Sequence, residues 1–214
     1  MSYSSPALVR HMQVLQKPNL FDEHTFYRAF VKDLLAAKME VIIHCPFVSK
    51  FRSEFFKRTL LELQRRNIAV FIFTRPIEEH ETIMKSEVTS ALRNYEALGA
   101  YISYLPGYIH QKVAIIDRKI LWEGSLNILS QRKSREVMRR IPDETSATHM
   151  MSYLGLNQKL VEGYRQQYER LYRSLVTTTD QTILKKILFW AGVGASLLGL
   201  WLLSNLEAMI SAFR

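Results

Sequence analysis

The chain has 214 residues, 48% hydrophobic and 23% charged, enough for one core of ordinary size and too apolar for a disordered tail. Eight glycines and six prolines, with no fixed-period repeat, exclude collagen-like, low-complexity and solenoid chains. A net charge of +9 favours an anionic partner, nucleic acid or an anionic membrane face, and the single Cys45 excludes an intrachain disulfide framework and a cysteine-based zinc site.

Residues 1–19 carry Pro6, Arg10 and His11 where a secretory signal needs an unbroken apolar stretch, so the chain is expected to be intracellular. Residues 20–37 place Phe26, Phe30, Leu34 and Ala37 at helical spacing, with Asp22 available as a cap. The β-branched run VIIHC after Glu40 predicts a strand buried on both faces. Ser49 then opens a helix with Phe55, Phe56, Leu60 and Leu63 on one face and Arg65 and Arg66 in its last turn. IAVFIFT, 68–74, predicts a second strand; 87–98 predicts a helix stopped by Gly99, and AYISYL a third strand. This alternation argues for an α/β layer architecture around a central sheet.

From Lys112 the pattern changes to KVAIID and KILWEGS, two adjacent strands, followed by REVMRRI at 135–141. A last helix is expected over 150–175, where Val161, Tyr164, Tyr168, Leu171 and Leu175 form a short heptad stripe that suits docking onto the domain's own sheet or pairing with another helix. After a linker at 177–186, residues 187–206 form a 20-residue uncharged run, the length that spans a bilayer, with Trp190 and Trp201 toward its ends and Lys185 and Lys186 before it. A short tail, 207–214, follows the expected transmembrane helix. Ala191, Ala195 and Gly199 recur four apart, which suits helix pairing and is also common in any membrane helix.

The most informative stretch is His110 to Asn127, HQKVAIIDRKILWEGSLN, with the pattern H-x-K-x4-D-x6-G-S-x-N. Six fixed positions match by chance in a chain of this length on the order of a few times in a million. In a strand, residues i and i+2 point the same way, so His110 and Lys112 can face one anion: the imidazole can attack phosphorus while the ammonium holds a non-bridging oxygen. Gly124 permits a close backbone approach, and Ser125 and the Asn127 amide can donate to the same oxygens. Asp117 either orients neighbouring groups or satisfies backbone donors, since a carboxylate beside a phosphate repels it. Arg132, Lys133, Arg135, Arg139 and Arg140 form a basic cluster next to the motif, a solvated face or a nucleic-acid contact. His44 could line the cleft or be a satisfied buried histidine, and Arg75 could touch a phosphate or cap a turn.

This motif resembles the signature of the phospholipase D superfamily, and the chain is similar to its single-motif nuclease branch. The resemblance implies an α/β sandwich over 20–176, a mixed central β-sheet flanked by helices, with the transmembrane helix appended. It implies a two-step reaction in which one histidine becomes a phosphohistidine and a second, from another motif, protonates the leaving oxygen. It also supplies Glu136 as the carboxylate that holds the second ring nitrogen of His110. None of the other five histidines has a lysine two residues on, so the second motif is expected from a homodimer sharing one site. No cofactor or metal is expected, for the sequence has no HExxH and no zinc-type spacing.

The resulting expectation is a metal-independent phosphodiesterase cleaving nucleic acid, DNA ahead of RNA, held at the inner membrane with its catalytic domain in the cytoplasm. A helicase or a defence system is a further expected partner. The rival readings are a phospholipase or cardiolipin hydrolase and a non-catalytic membrane tether for nucleic acid.

Overall fold

The computed structural model describes residues 19–131 and 133–178. The chain divides into two compact units, Met1–Leu160 and Val161–Arg214. In chain order the elements are β1 (Leu20–Asp22), α1 (Phe26–Ala36), β2 (Glu40–His44), α2 (Lys50–Arg65), β3 (Ala69–Thr74), a 3-10 turn at Ile77–Glu79, α3 (Thr82–Ala97) and β4 (Tyr101–Tyr104). Then come β5 (Lys112–Ile116), β6 (Ile120–Gly124), β7 (Val137–Ile141), α4 (Glu144–Tyr153) and α5 (Leu156–Thr178).

The strands form one mixed sheet in the order β1-β7-β6-β5-β2-β3-β4. β2, β3 and β4 run parallel, and every pairing from β2 out through β5, β6 and β7 to β1 is antiparallel. All five residues of β2 and all six of β3 are buried, which is why these segments are continuous apolar runs rather than alternating ones. On one face Val41, Ile43, Val70, Ile72, Ala114 and Trp122 join Phe26, Phe30, Phe56, Leu60 and Leu92 of the helices in the main core. The alternate residues Ile42, Phe71, Phe73, Ile115 and Leu121 face the other way and are also buried, on the side where Ala147 and Met151 of α4 are fully packed. The sheet is thus flanked by helices. A polar knot ties the layers: Asp33 of α1 accepts from Trp122 Nε1 at 2.9 Å and from Arg140 Nε and Nη2 at 2.6 and 2.9 Å.

Three sequence expectations are corrected. Residues 20–22, within the segment expected as a helix, form a strand because they pair with β7, while the Asp22 carboxylate accepts from the N–H groups of His24 and Thr25 just before α1. α3 begins at Thr82, before the predicted 87. The single helix expected over 150–175 is two, α4 capped by Asp143 and α5, separated at Gly155, whose φ of +62° a helix cannot accommodate. In the second unit, residues 161–178 continue α5, with Arg165 bridging Glu162 and Glu169 and Val161 70% exposed. The expected transmembrane segment 187–206 lies outside the described residues; among those described no helix is long and apolar enough to cross a membrane.

Candidate active site

The strand register gathers most of the motif at one end of the sheet. β5 runs antiparallel to β2, so its N-terminus meets the C-terminus of β2, with Val113 opposite His44. β6 returns beside it with Gly124 opposite Lys112, and β7 starts beside that with Met138 opposite Gly124. His110, Lys112, Gly124, Ser125 and Glu136 are therefore neighbours. Asp117 is not, because it follows the far end of β5, about 16 Å of strand away from Lys112.

His110 is exposed in the segment leading into β5, while Lys112 is only 6% exposed. The Lys112 ammonium donates to the His110 carbonyl oxygen at 2.6 Å and lies 2.9 and 3.1 Å from Nδ1 and Nε2 of the same imidazole. An accessible imidazole with a cation beside it is an arrangement suited to attack on a phosphodiester, the ammonium being placed for charge that develops on phosphate oxygens. Burial pushes the Lys112 ammonium below the usual lysine value of 10.5, helped by the Arg75 guanidinium and opposed by Cys45 and Glu136. The sign follows directly: rising pH discharges Lys112 earlier than an ordinary lysine. The alkaline limb of kcat/KM is accordingly expected below pH 10.5, and Lys112→Arg, which stays charged, should move that limb upward at reduced rate. A limb unmoved by the arginine variant removes Lys112 as its source.

Ser125 and Glu136 are brought together, but in roles other than those expected. The Ser125 hydroxyl donates its one proton to Glu136 Oε2 and accepts from Val137 N–H at 3.1 Å, so it is not free to donate to a phosphate. Glu136 correspondingly holds Ser125 rather than the ring of His110, whose imidazole contacts Lys112 instead. Its own N–H donates to Glu23 Oε2 at 3.0 Å. Gly124 is corrected too. A Cβ placed there would sit 2.1 Å from the Val137 carbonyl oxygen and 2.9 Å from Met138 Cα, so the close approach is made by β7, not by substrate. That closeness lets Ser125 N–H reach the Val137 carbonyl at 2.9 Å. Gly124→Ala is expected to cost about 2–3 kcal/mol in denaturant unfolding, as overpacking does, and to lower activity by shifting Ser125 and Glu136 together. Wild-type stability in this variant would show that β7 yields freely.

Asn127 sits in the turn after β6, its carbonyl accepting from Ser130 and Gln131 N–H. Its Oδ1 is buried with no hydrogen-bond partner, leaving that end of the amide uncommitted. The turn is anchored by Leu126, Ile128 and Leu129, all fully buried, and braced from the helices. Tyr27 Oη donates to Ile128 O, Ser49 N–H to Leu129 O, and Arg52 Nε and Nη2 to Gln131 O at 3.0 and 2.8 Å. Arg52 in turn stacks 3.7 Å over the Tyr27 ring.

The basic cluster is divided by the strand. Arg139 and Arg140 point to opposite faces of β7, and Arg140 is committed to Asp33, so it leaves the cluster. Lys133 and Arg135 are exposed beside the Asn127 turn, and Arg132 lies outside the described residues. Asp117 accepts from the N–H groups of Lys38, Met39 and Glu40 at 2.8–3.0 Å, which makes it a structural residue and withdraws it from the catalytic set. His44 is 2% exposed, its Nδ1 3.4 Å from the Gln111 carbonyl, and burial holds its pKa down.

Sequence reasoning missed the residues that hold the site from outside the motif, Arg52, Glu23 and Glu79, the last accepting from Gly107 and Tyr108 N–H, because their hydrogen bonds run to backbone atoms distant in sequence. Arg75, expected to touch a phosphate or cap a turn, donates to Ile109 O at 2.7 Å and Tyr108 O at 3.2 Å. Among the described residues no group of His, Cys, Asp or Glu is arranged to hold a metal ion.

A family model described as cardiolipin synthase, PLD-like domain, matches residues 30–155. The chain is 31% identical over 126 residues to a cardiolipin synthase A of Pseudomonas fluorescens, covering 56% of this chain and 25% of that protein. It is 30% identical over 127 residues to a cardiolipin synthase A of Pseudomonas aeruginosa, covering 58% of this chain and 26% of that one. The chain thus spans about a quarter of the length of these curated relatives. Among solved structures, NucT from Helicobacter pylori superposes with a TM-score of 0.52 at 23% identity, over 67% of this chain and 94% of that one. Nuc from Salmonella typhimurium, a phospholipase D family member, gives 0.53 at 15% identity over 65% and 93%. These two likenesses show the fold.

Proposed function

Because the chain belongs to the phospholipase-D-like domain family, we propose that it is a phosphodiesterase that cleaves nucleic acid through a phosphohistidine on His110, held at the inner membrane by residues 187–206. The observation that carries this reading is the exposed His110 imidazole lying against the buried Lys112 ammonium at the sheet end. His110 attacks phosphorus, Lys112 holds a non-bridging oxygen, and the phosphohistidine is then hydrolysed by water. The second histidine, which protonates the leaving oxygen and later activates the water, comes from a second copy of the chain, since no other histidine here stands in the motif. The charge of +9, with Lys133 and Arg135 exposed beside the Asn127 turn, favours a polyanion as substrate.

A second reading, cleavage of a phospholipid such as cardiolipin, has its own support. The sequence likeness is to cardiolipin synthases, and a cleft of about 350 Å³, lined by Leu20, Val113, Val137, Met150 and Tyr153, adjoins the strand that carries Lys112. The deciding experiment uses the full chain purified in detergent, with single-stranded DNA, RNA and cardiolipin offered in parallel, each with and without EDTA. Cleavage of nucleic acid by the wild type is the expected result; cleavage of cardiolipin alone transfers the protein to the lipid reading. Activity that EDTA removes overturns the phosphohistidine mechanism, and binding without turnover leaves the tether.

A further inference from the structure

Two residues before His110, the chain presents an aromatic ring to solvent from a backbone that is tightly held. Tyr108 is 70% exposed, and its φ of +55° puts it in the left-handed region that side chains other than glycine seldom occupy. Four hydrogen bonds from the segment after β3 fix that conformation. The Glu79 carboxylate accepts from Gly107 and Tyr108 N–H at 2.8 and 2.9 Å, and Arg75 donates to the carbonyls of Tyr108 and Ile109. The Arg75 guanidinium also lies 4.7 Å from the Phe47 ring centre and 5.7 Å from that of Tyr108. Exposed rings such as Tyr153 and positive-φ turns such as Asp117–Arg118 occur elsewhere in the fold; what sets Tyr108 apart is that exposed ring and clamped backbone coincide two residues from His110. An unfavourable backbone held in place beside a reactive group is the mark of a contact residue, its shape set before the ligand arrives.

We propose that Tyr108 is the subsite for the nucleobase next to the scissile phosphate, with Glu79 and Arg75 holding the backbone that carries its ring; this rests on the nucleic-acid reading above. Bases offer flat π-faces and stack on aromatic rings without regard to sequence, and a guanidinium behind the ring adds positive potential where the phosphate chain passes. A base inside a duplex has its faces covered by its neighbours, so this subsite selects unpaired strands or frayed ends. An acyl chain gains little from one exposed ring beside a cation.

The test uses the full chain in detergent and a single-stranded oligonucleotide with one cleavage position, alongside versions carrying an abasic residue on either side of that phosphate. The wild type is expected to lose roughly tenfold in kcat/KM when one of the flanking bases is removed. Tyr108→Phe should keep this discrimination. Tyr108→Ala should cleave the intact strand at the lower rate and no longer tell the two apart; discrimination equal to the wild type overturns the proposal while leaving the nuclease reading standing. Equilibrium binding of the same oligonucleotides to His110→Ala, with and without Tyr108→Ala, separates the two ideas. If nothing is cleaved yet binding discriminates through Tyr108, the subsite stands and the nuclease reading falls; if binding does not discriminate either, the subsite falls with it.

Discussion

His110→Ala is expected to abolish turnover, with a fall of about 10⁴-fold or more, the scale on which removing a covalent nucleophile acts. The substitution takes away the only atom that can bond to phosphorus, and Lys112 alone can bind an oxygen but cannot replace it. Folding should be unaffected, since the ring is exposed and its hydrogen-bonding partner is the Lys112 side chain. Lys112→Ala should be less severe than His110→Ala, because charge stabilisation by one donor contributes on the order of 10²–10³-fold. A shared site adds a quantitative signature. If each copy supplies one histidine, wild-type and His110→Ala chains unfolded together and reassociated at equal amounts should retain about a quarter of the wild-type rate, since only dimers with two histidines work. Retention of about half means that each copy works alone.

Asp117→Ala is expected to destabilise the fold by about 2–3 kcal/mol, as much as Gly124→Ala, although it lies at the wrong end of β5 for catalysis. Three N–H groups, those of Lys38, Met39 and Glu40, lose their acceptor at once, and one of them belongs to a fully buried residue. The turn itself also suffers. Asp117 and Arg118 both have positive φ, +52° and +54°, and Lys119 N–H closes on the Ile116 carbonyl, the geometry of a type I′ hairpin turn. Aspartate tolerates that conformation better than alanine. Asp117→Asn keeps both the turn preference and one acceptor oxygen, so it should recover part of the loss. Denaturant unfolding gives the stabilities, and turnover per folded molecule should be near wild type for both variants. An alanine variant as stable as the wild type, or stable but inactive, contradicts the structural role.

Sheet and helices were legible where periodicity and burial agree. VIIHC and IAVFIFT read as strands because their neighbours cover both faces, and Ser49 marked the start of α2 because its hydroxyl does accept from Arg52 N–H. Residues 20–22 misled because three residues carry no period, and their strand character comes wholly from pairing with β7, more than a hundred residues away. The break at Gly155 was hidden because an apolar stripe continues on both sides of it, and only the backbone angle separates α4 from α5. In the site, the spacing placed His110 and Lys112 together, but only Lys112 lies in β5, and the two meet because the lysine reaches back to the His110 ring and carbonyl. Spacing could not say whose proton Ser125 holds or which backbone Gly124 accommodates. Those are contacts across β6 and β7, and they depend on register to a fraction of an ångström. Asp117 shows the same limit from the other side: a carboxylate at fixed distance from a catalytic lysine is equally consistent with chemistry and with a turn.

The order of the sheet bears on when the protein first acquires its activity. Among the described strands β1 comes earliest in the chain, and it pairs only with β7, which comes latest. Glu23, just past β1, then fixes the N–H of Glu136, just before β7. During synthesis the parallel half can assemble early through its short crossovers, whereas this seam must wait until residue 141 has emerged. The pairing of Ser125 with Glu136 is therefore among the last parts of the fold to be completed as the chain is made.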